Sequence, residues 1–167
     1  MSADKGPSID TLLKLAENHA RQTLIGGKGE MVPICHLVRS DGQETVIGTP
    51  WRDNLEKEIT LKMLAHLMRE GGAIRYMVMC EAWMRKATET EAASFKPGDP
   101  LPTVPPIKDH PDRVEIVIAC ARDHGDKRVC VWETKRDEHG QCVDLVEITS
   151  KADGWESQWT ELLPMDA

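Results

Sequence analysis

Aromatic residues are scarce in this chain of 167 residues: one Tyr, one Phe and five Trp. Eight Met take over part of the space-filling that Phe would otherwise do, because a thioether chain adapts to irregular gaps. The five Trp (Trp51, Trp83, Trp132, Trp155 and Trp159) are then the natural anchors of a core or an interface. Positive charge is also in short supply. Lys and Arg number 21 against 28 Asp and Glu, for a net charge of −7. That argues against direct nucleic-acid binding, which needs a basic surface to displace counterions, and against attachment to anionic membranes. The acids are dispersed. No block of five like charges occurs, and the C-terminal stretch sets Asp153, Glu156, Glu161 and Asp166 against Lys151.

Other absences narrow the class further. No apolar run approaches the ~20 residues that a membrane span needs. Residues 1–7 lack the apolar core of a secretion signal. None of the five cysteines (Cys35, Cys80, Cys120, Cys130 and Cys142) forms a C-x-x-C pair, which suits reduced thiols in a cytoplasmic protein. The length suits one domain over residues 1–167 with a sizeable core.

What is present is mainly pattern. Ser8 caps a helix over residues 9–25, with Ile9, Leu12, Leu13, Ala16, Ala20 and Leu24 on one face. Gly26-Gly27-Lys28-Gly29 ends it. A phosphate-cradling loop has Gly after a strand and before a helix, and here the order is reversed. Residues 31–39 and 44–50 read as a hairpin around Ser40-Asp41-Gly42-Gln43. Asp53 with Glu56 forms a capping box for a second helix, which runs to about Glu70. Its apolar residues Leu55, Ile59, Met63, Leu64, Leu67 and Met68 predict a helix lying flat on a sheet. Residues 73–84 are apolar on both faces, as a central strand is. A Pro-rich loop follows over residues 85–112, and a short terminal helix is expected over 155–163.

Residues 113–149 read as a three-stranded meander with five-residue turns at 123–127 and 137–141. Closing the turns by counting pairs Cys120 with Cys130, Ile118 with Trp132, Arg136 with Cys142 and Trp132 with Val146. One face then carries Ile116, Ile118, Cys120, Cys130, Trp132, Val146 and Ile148. The other carries Val117, Ala119, Val129, Val131, Val143 and Leu145 with Glu115, Glu133, Lys135 and Glu147, and pairs Glu115 with Lys135. The expected fold is α+β: an antiparallel-rich sheet of about six strands flanked by two main helices. This element order resembles that of profilin-like and roadblock-type domains, and the resemblance carries no function. The segments Cys80-Glu81-Ala82-Trp83-Met84 and His110-Pro111-Asp112-Arg113 resemble parts of small uncharacterised proteins of phages and bacteria.

No strong catalytic motif occurs. Asp112, Glu133 and Lys135 have the spacing of a PD-(D/E)xK nuclease, whose carboxylates would hold Mg²⁺ or Mn²⁺. The counted register sets Asp112 on the face opposite Glu133 and Lys135, which weakens that match. No four residues have zinc-ligand spacing, so no cofactor is expected outside the nuclease alternative. The functional expectation is a non-enzymatic modulator that binds another protein of unknown identity. The phage resemblance extends this to a host defence or regulatory system, and a homodimer stays open. Its contact residues would be Trp83, Glu115, Glu133, Lys135, Glu147, Trp155 and Trp159, because aromatic anchors carry much interface energy. Glu81, beside Trp83, is a candidate site wall, or else the partner of Arg75 or Arg113.

Overall fold

The computed structural model describes residues 5–85, 89–94, 109 and 111–148. Trp155, Trp159 and the helix expected at 155–163 lie outside the described residues. The first helix, α1, spans Ile9–Leu24. The Ser8 hydroxyl accepts the Thr11 N–H at 3.2 Å, one of the donors a helix start leaves unsatisfied. Ile9, Leu12, Leu13, Ala16, Ala20 and Leu24 are its buried face, as their spacing predicts. The glycine loop after it pairs with the sheet. Gly26 N–H donates to the Cys142 carbonyl at 2.8 Å, and Cys142 N–H donates to Gly27 at 2.9 Å.

Six strands follow around a second helix: β1 (Ile34–Arg39), β2 (Glu44–Gly48), α2 (Asn54–Glu70), β3 (Ala73–Met84), β4 (Val114–Asp123), β5 (Lys127–Arg136) and β6 (Cys142–Glu147). They form one sheet in the order β2-β1-β3-β4-β5-β6, each neighbour antiparallel. With two main helices this is the α+β class that the element order predicts. Most of the expected Pro-rich loop lies outside the described residues. Its polar first part contains a short helix over Glu89–Ser94, in a run of helix-forming Glu and Ala. Among the described residues no helix is long and apolar enough to cross a membrane.

Alternation along β3 divides the interior into two cores. Met77 and Met79 join α1, Val117, Ala119, Ala121 and Trp132 on one face. Tyr76, Val78 and Cys80 join α2, Cys35, Leu37, Ile116, Cys120 and Val131 on the other. Consecutive strand residues point to opposite faces, so α1 and α2 lie on opposite sides of the sheet.

The counted register of the meander is wrong by one residue. The first turn closes on two residues, His124 and Gly125, because the Asp123 carboxylate captures the N–H of Gly125 at 2.8 Å and of Asp126 at 2.7 Å. Arg122 therefore pairs with Lys127, Ala119 with Cys130, Cys120 with Val129 and Val117 with Trp132. The second turn closes as predicted, Arg136 against Cys142, around Gly140 at φ +79°. A bulge between Lys135 and Arg136 then shifts the ladder, so Trp132 faces Glu147 instead of Val146. Cys130 and Trp132 thus belong to the α1 face, away from Ile116, Ile118 and Cys120. Cys120 and Cys130 are not neighbours, and all five cysteines are free thiols.

Asp123 does more than close its turn. Its Oδ2 lies 3.7 Å from Nε of the buried Arg75, the residue across from it on β3. The Arg75 Nη1 donates at 2.6 Å to the Pro7 carbonyl.

Two expectations about α2 also need correction. Asp53 caps it as predicted, accepting the Glu56 N–H at 2.8 Å. The Glu56 carboxylate, however, accepts the Arg52 N–H at 2.7 Å and pairs with its guanidinium, rather than returning to Asp53. The helix does not lie flat on one apolar face either. Leu61, Leu64 and Met68 are buried, whereas Leu55, Ile59, Met63 and Leu67 are exposed. Apolar residues occur on both sides of this helix, and only one side meets the sheet.

Candidate functional site

The ends of β3 and β4 next to Met84 and Val114 build a cleft at one end of the sheet. The ladder sets Trp83 across from Glu115 and Glu81 across from Val117, so Glu81, Trp83 and Glu115 share the α1 face. The cleft has a volume of about 260 Å³ and is lined by Glu30, Met31, Pro33, Trp51, Glu81, Ala82, Trp83 and Glu115. Two indole rings and three carboxylates thus surround one opening.

Each polar group there has a distinct setting. Glu115 is held by Arg136 in a forked pair, Nε to Oε2 at 2.7 Å and Nη2 to Oε1 at 2.5 Å, largely buried on both sides. Such a fork fixes orientation as well as charge. Arg136 also donates to the Gly140 carbonyl at 3.1 Å, which ties the site to the second turn. Burial holds the Arg136 pair apart from bulk solvent, and the Glu115 hydrogen bond raises the Arg136 pKa above its ordinary value. Trp83 is half-exposed, and the Arg113 guanidinium stacks over its ring 4.9 Å from the centroid.

Glu81 is the perturbed group. Its Oε2 accepts the backbone N–H of buried Met31, while its Oε1 is buried and has no hydrogen-bond partner. Burial pushes its carboxyl pKa above the ordinary range. The Met31 N–H opposes that shift, Glu115 and Glu30 add to it, and Arg136 opposes it. A carboxyl with a raised pKa beside a carboxylate fixed by Arg can hold or release a proton. It can equally take a cation, which would supply the charge and donor that Glu81 lacks.

The residues expected from sequence are scattered. Trp83 and Glu115 lie at the cleft. Glu147 is exposed across from Trp132, on the α1 face. Glu133 lies across from Ile116, on the α2 face, with Lys135 Nζ 2.6 Å from its Oε1. The expected common face of Glu115, Glu133, Lys135 and Glu147 is therefore split between two sides of the sheet. Glu115 pairs with Arg136 and not with Lys135. Glu81 does not take Arg75, which is committed to Asp123 and Pro7. The one-residue shift removes the objection that Asp112 and Glu133 have opposite parity. Among the described residues, even so, no three His, Cys, Asp or Glu side chains are grouped as metal ligands, and Asp112 is exposed in the turn before β4.

Sequence reasoning missed Arg136, Glu30, Met31 and Trp51 at the cleft. Alternation links Glu81 to Trp83, but no local signal links either to residues fifty positions away. Comparison with protein-family models, with curated proteins and with solved structures finds no match to this chain.

Proposed function

We propose that this protein is a non-enzymatic modulator that binds another protein, seating a Lys or Arg side chain of that partner in the cleft between Trp83, Glu81 and Glu115. The observation that carries this reading is the buried, unpartnered Oε1 of Glu81 in a cleft walled by two indoles and three carboxylates. A desolvated carboxylate is costly without a donor, and an entering ammonium or guanidinium supplies the donor that Glu81 Oε1 lacks, beside a Trp83 ring that already stacks with one cation, Arg113. The net charge of −7 draws basic partners toward the surface before contact.

The reading places the protein in the cytoplasm, where its five thiols stay reduced. The likeness of residues 80–84 and 110–113 to small phage and bacterial proteins makes a bacterial host protein the first partner to seek. The test is capture of a partner from bacterial lysate, followed by titration of that partner against folded variants. Trp83→Ala and Glu115→Gln should each weaken binding at least ~10-fold, as hot-spot residues do. A captured partner that binds both variants with wild-type affinity would overturn the assignment.

A further inference from the structure

At the cleft, the chain's own arginines already fill the contacts that most favour a guanidinium. Arg136 forks Glu115, with Nε on Oε2 and Nη2 on Oε1, so the edge spanning both oxygens of that carboxylate is taken. Arg113 lies over the Trp83 ring, 4.9 Å from its centroid. Forking a carboxylate and stacking on a ring are the two geometries in which a guanidinium outdoes an ammonium.

What remains is a single acceptor. Glu81 Oε2 is held by the Met31 N–H, while Oε1 is buried without a hydrogen-bond partner. A guanidinium approaching Glu81 finds one oxygen where its fork needs two. An ammonium needs only one, because it is a compact charge whose three N–H groups point in different directions.

On the reading of the cleft as a cation seat, we propose that it accepts a primary ammonium in preference to a guanidinium, so that the residue a partner inserts is Lys and not Arg. One N–H goes to Glu81 Oε1, and the others go to Glu30, which is exposed at the cleft, and to water. Charge agrees. Glu30, Glu81 and Glu115, when ionised, outnumber Arg113 and Arg136 by one, and one ammonium closes the difference. A guanidinium sheds its water at lower cost, which favours it in a sealed site. This cleft opens to solvent past Trp83, which is 44% exposed, so an ammonium keeps part of its hydration there and that advantage shrinks.

Nuclear magnetic resonance of the full chain tests the preference with two probes on one alkyl stem, n-butylammonium and n-butylguanidinium, at equal ionic strength. The indole N–H signals of Trp51 and Trp83, assigned through Trp51→Phe and Trp83→Phe, report on the cleft. n-Butylammonium should shift both signals and bind at least ~5-fold more tightly than n-butylguanidinium, the effect of about one hydrogen bond. Glu81→Gln should weaken n-butylammonium to the level of n-butylguanidinium. Arg136→Ala, checked for folding by far-ultraviolet circular dichroism, frees the edge of Glu115 and should move the preference toward n-butylguanidinium. Equal binding of the two probes to the wild type, or tighter n-butylguanidinium, overturns the preference and leaves the cation seat standing. No shift from either probe overturns the seat itself, and the preference with it. A preference unchanged in folded Arg136→Ala overturns the role given to the fork, and the wild-type and Glu81→Gln comparisons decide alone if that variant does not fold.

Discussion

Replacing Glu81 separates two roles that one side chain performs. Its Oε2 accepts the N–H of Met31, and its negative charge sits half-buried beside Glu115 and Glu30. Glu81→Gln keeps a carbonyl acceptor for Met31 and removes the charge. Glu81→Leu removes both and leaves a buried N–H without a partner, which costs about 2 kcal/mol. For a domain of this size that corresponds to a fall of roughly 4–8 °C in Tm. The pH dependence carries the second signature. Because the folded carboxyl pKa is raised above its unfolded value, the folded state holds the proton more tightly. The stability tied to that proton is present below the ordinary carboxylate pKa and is lost as pH rises through the raised folded value. Wild type and Glu81→Gln should therefore melt closely together near about pH 4, and the wild type should fall behind as pH rises to about 8. Thermal melts of the three proteins by near-ultraviolet circular dichroism across that range make the comparison. If Glu81→Gln is destabilised as much as Glu81→Leu, the Met31 hydrogen bond is not what Glu81 contributes. A difference between wild type and Glu81→Gln that stays flat with pH would refute the buried-charge account.

The thiols and the forked pair make two further tests. Burial pushes the Cys35 thiol up to about 12 and the Cys80 thiol up to about 11, so both should resist alkylation in the native protein near neutral pH and react on unfolding in urea, read by mass spectrometry; rapid native labelling at Cys35 would contradict its burial. A double-mutant cycle of Glu115→Ala and Arg136→Ala in urea denaturation should give a coupling of about 1–2 kcal/mol, between the values of exposed and fully buried pairs; additive losses would mean the fork is not formed.

Much of the fold was legible because some segments carry one dominant period. α1 shows a single apolar stripe, and all six residues of that stripe are buried. β3 is apolar at both parities, and it is flanked by strands on both edges and carries a core on each face. The meander register failed for a local reason. A five-residue turn and a two-residue turn share the same Asp and Gly, and the Asp123 carboxylate decides between them through two N–H bonds that composition does not reveal. The Lys135 bulge then added a second shift, so a consistent apolar face emerged from a wrong count. Both faces of β4 and β5 are apolar enough to pass that test, which is why consistency was a weak guide here. The α2 stripe misled because apolar residues all round a helix do not say which of them meet the sheet. At the cleft, Glu81 and Trp83 were visible as alternating neighbours. Met31, Trp51 and Arg136 arrive through tertiary packing and leave no spacing to read.

The contacts from Asp123 through Arg75 to Pro7 join the first turn of the meander to the residues that lead into α1. The carboxylate that closes the turn on Gly125 and Asp126 also faces Arg75 across the β3–β4 ladder. A change at Arg75 should therefore be felt at two segments more than a hundred residues apart in sequence, the 123–126 turn and the entry to α1.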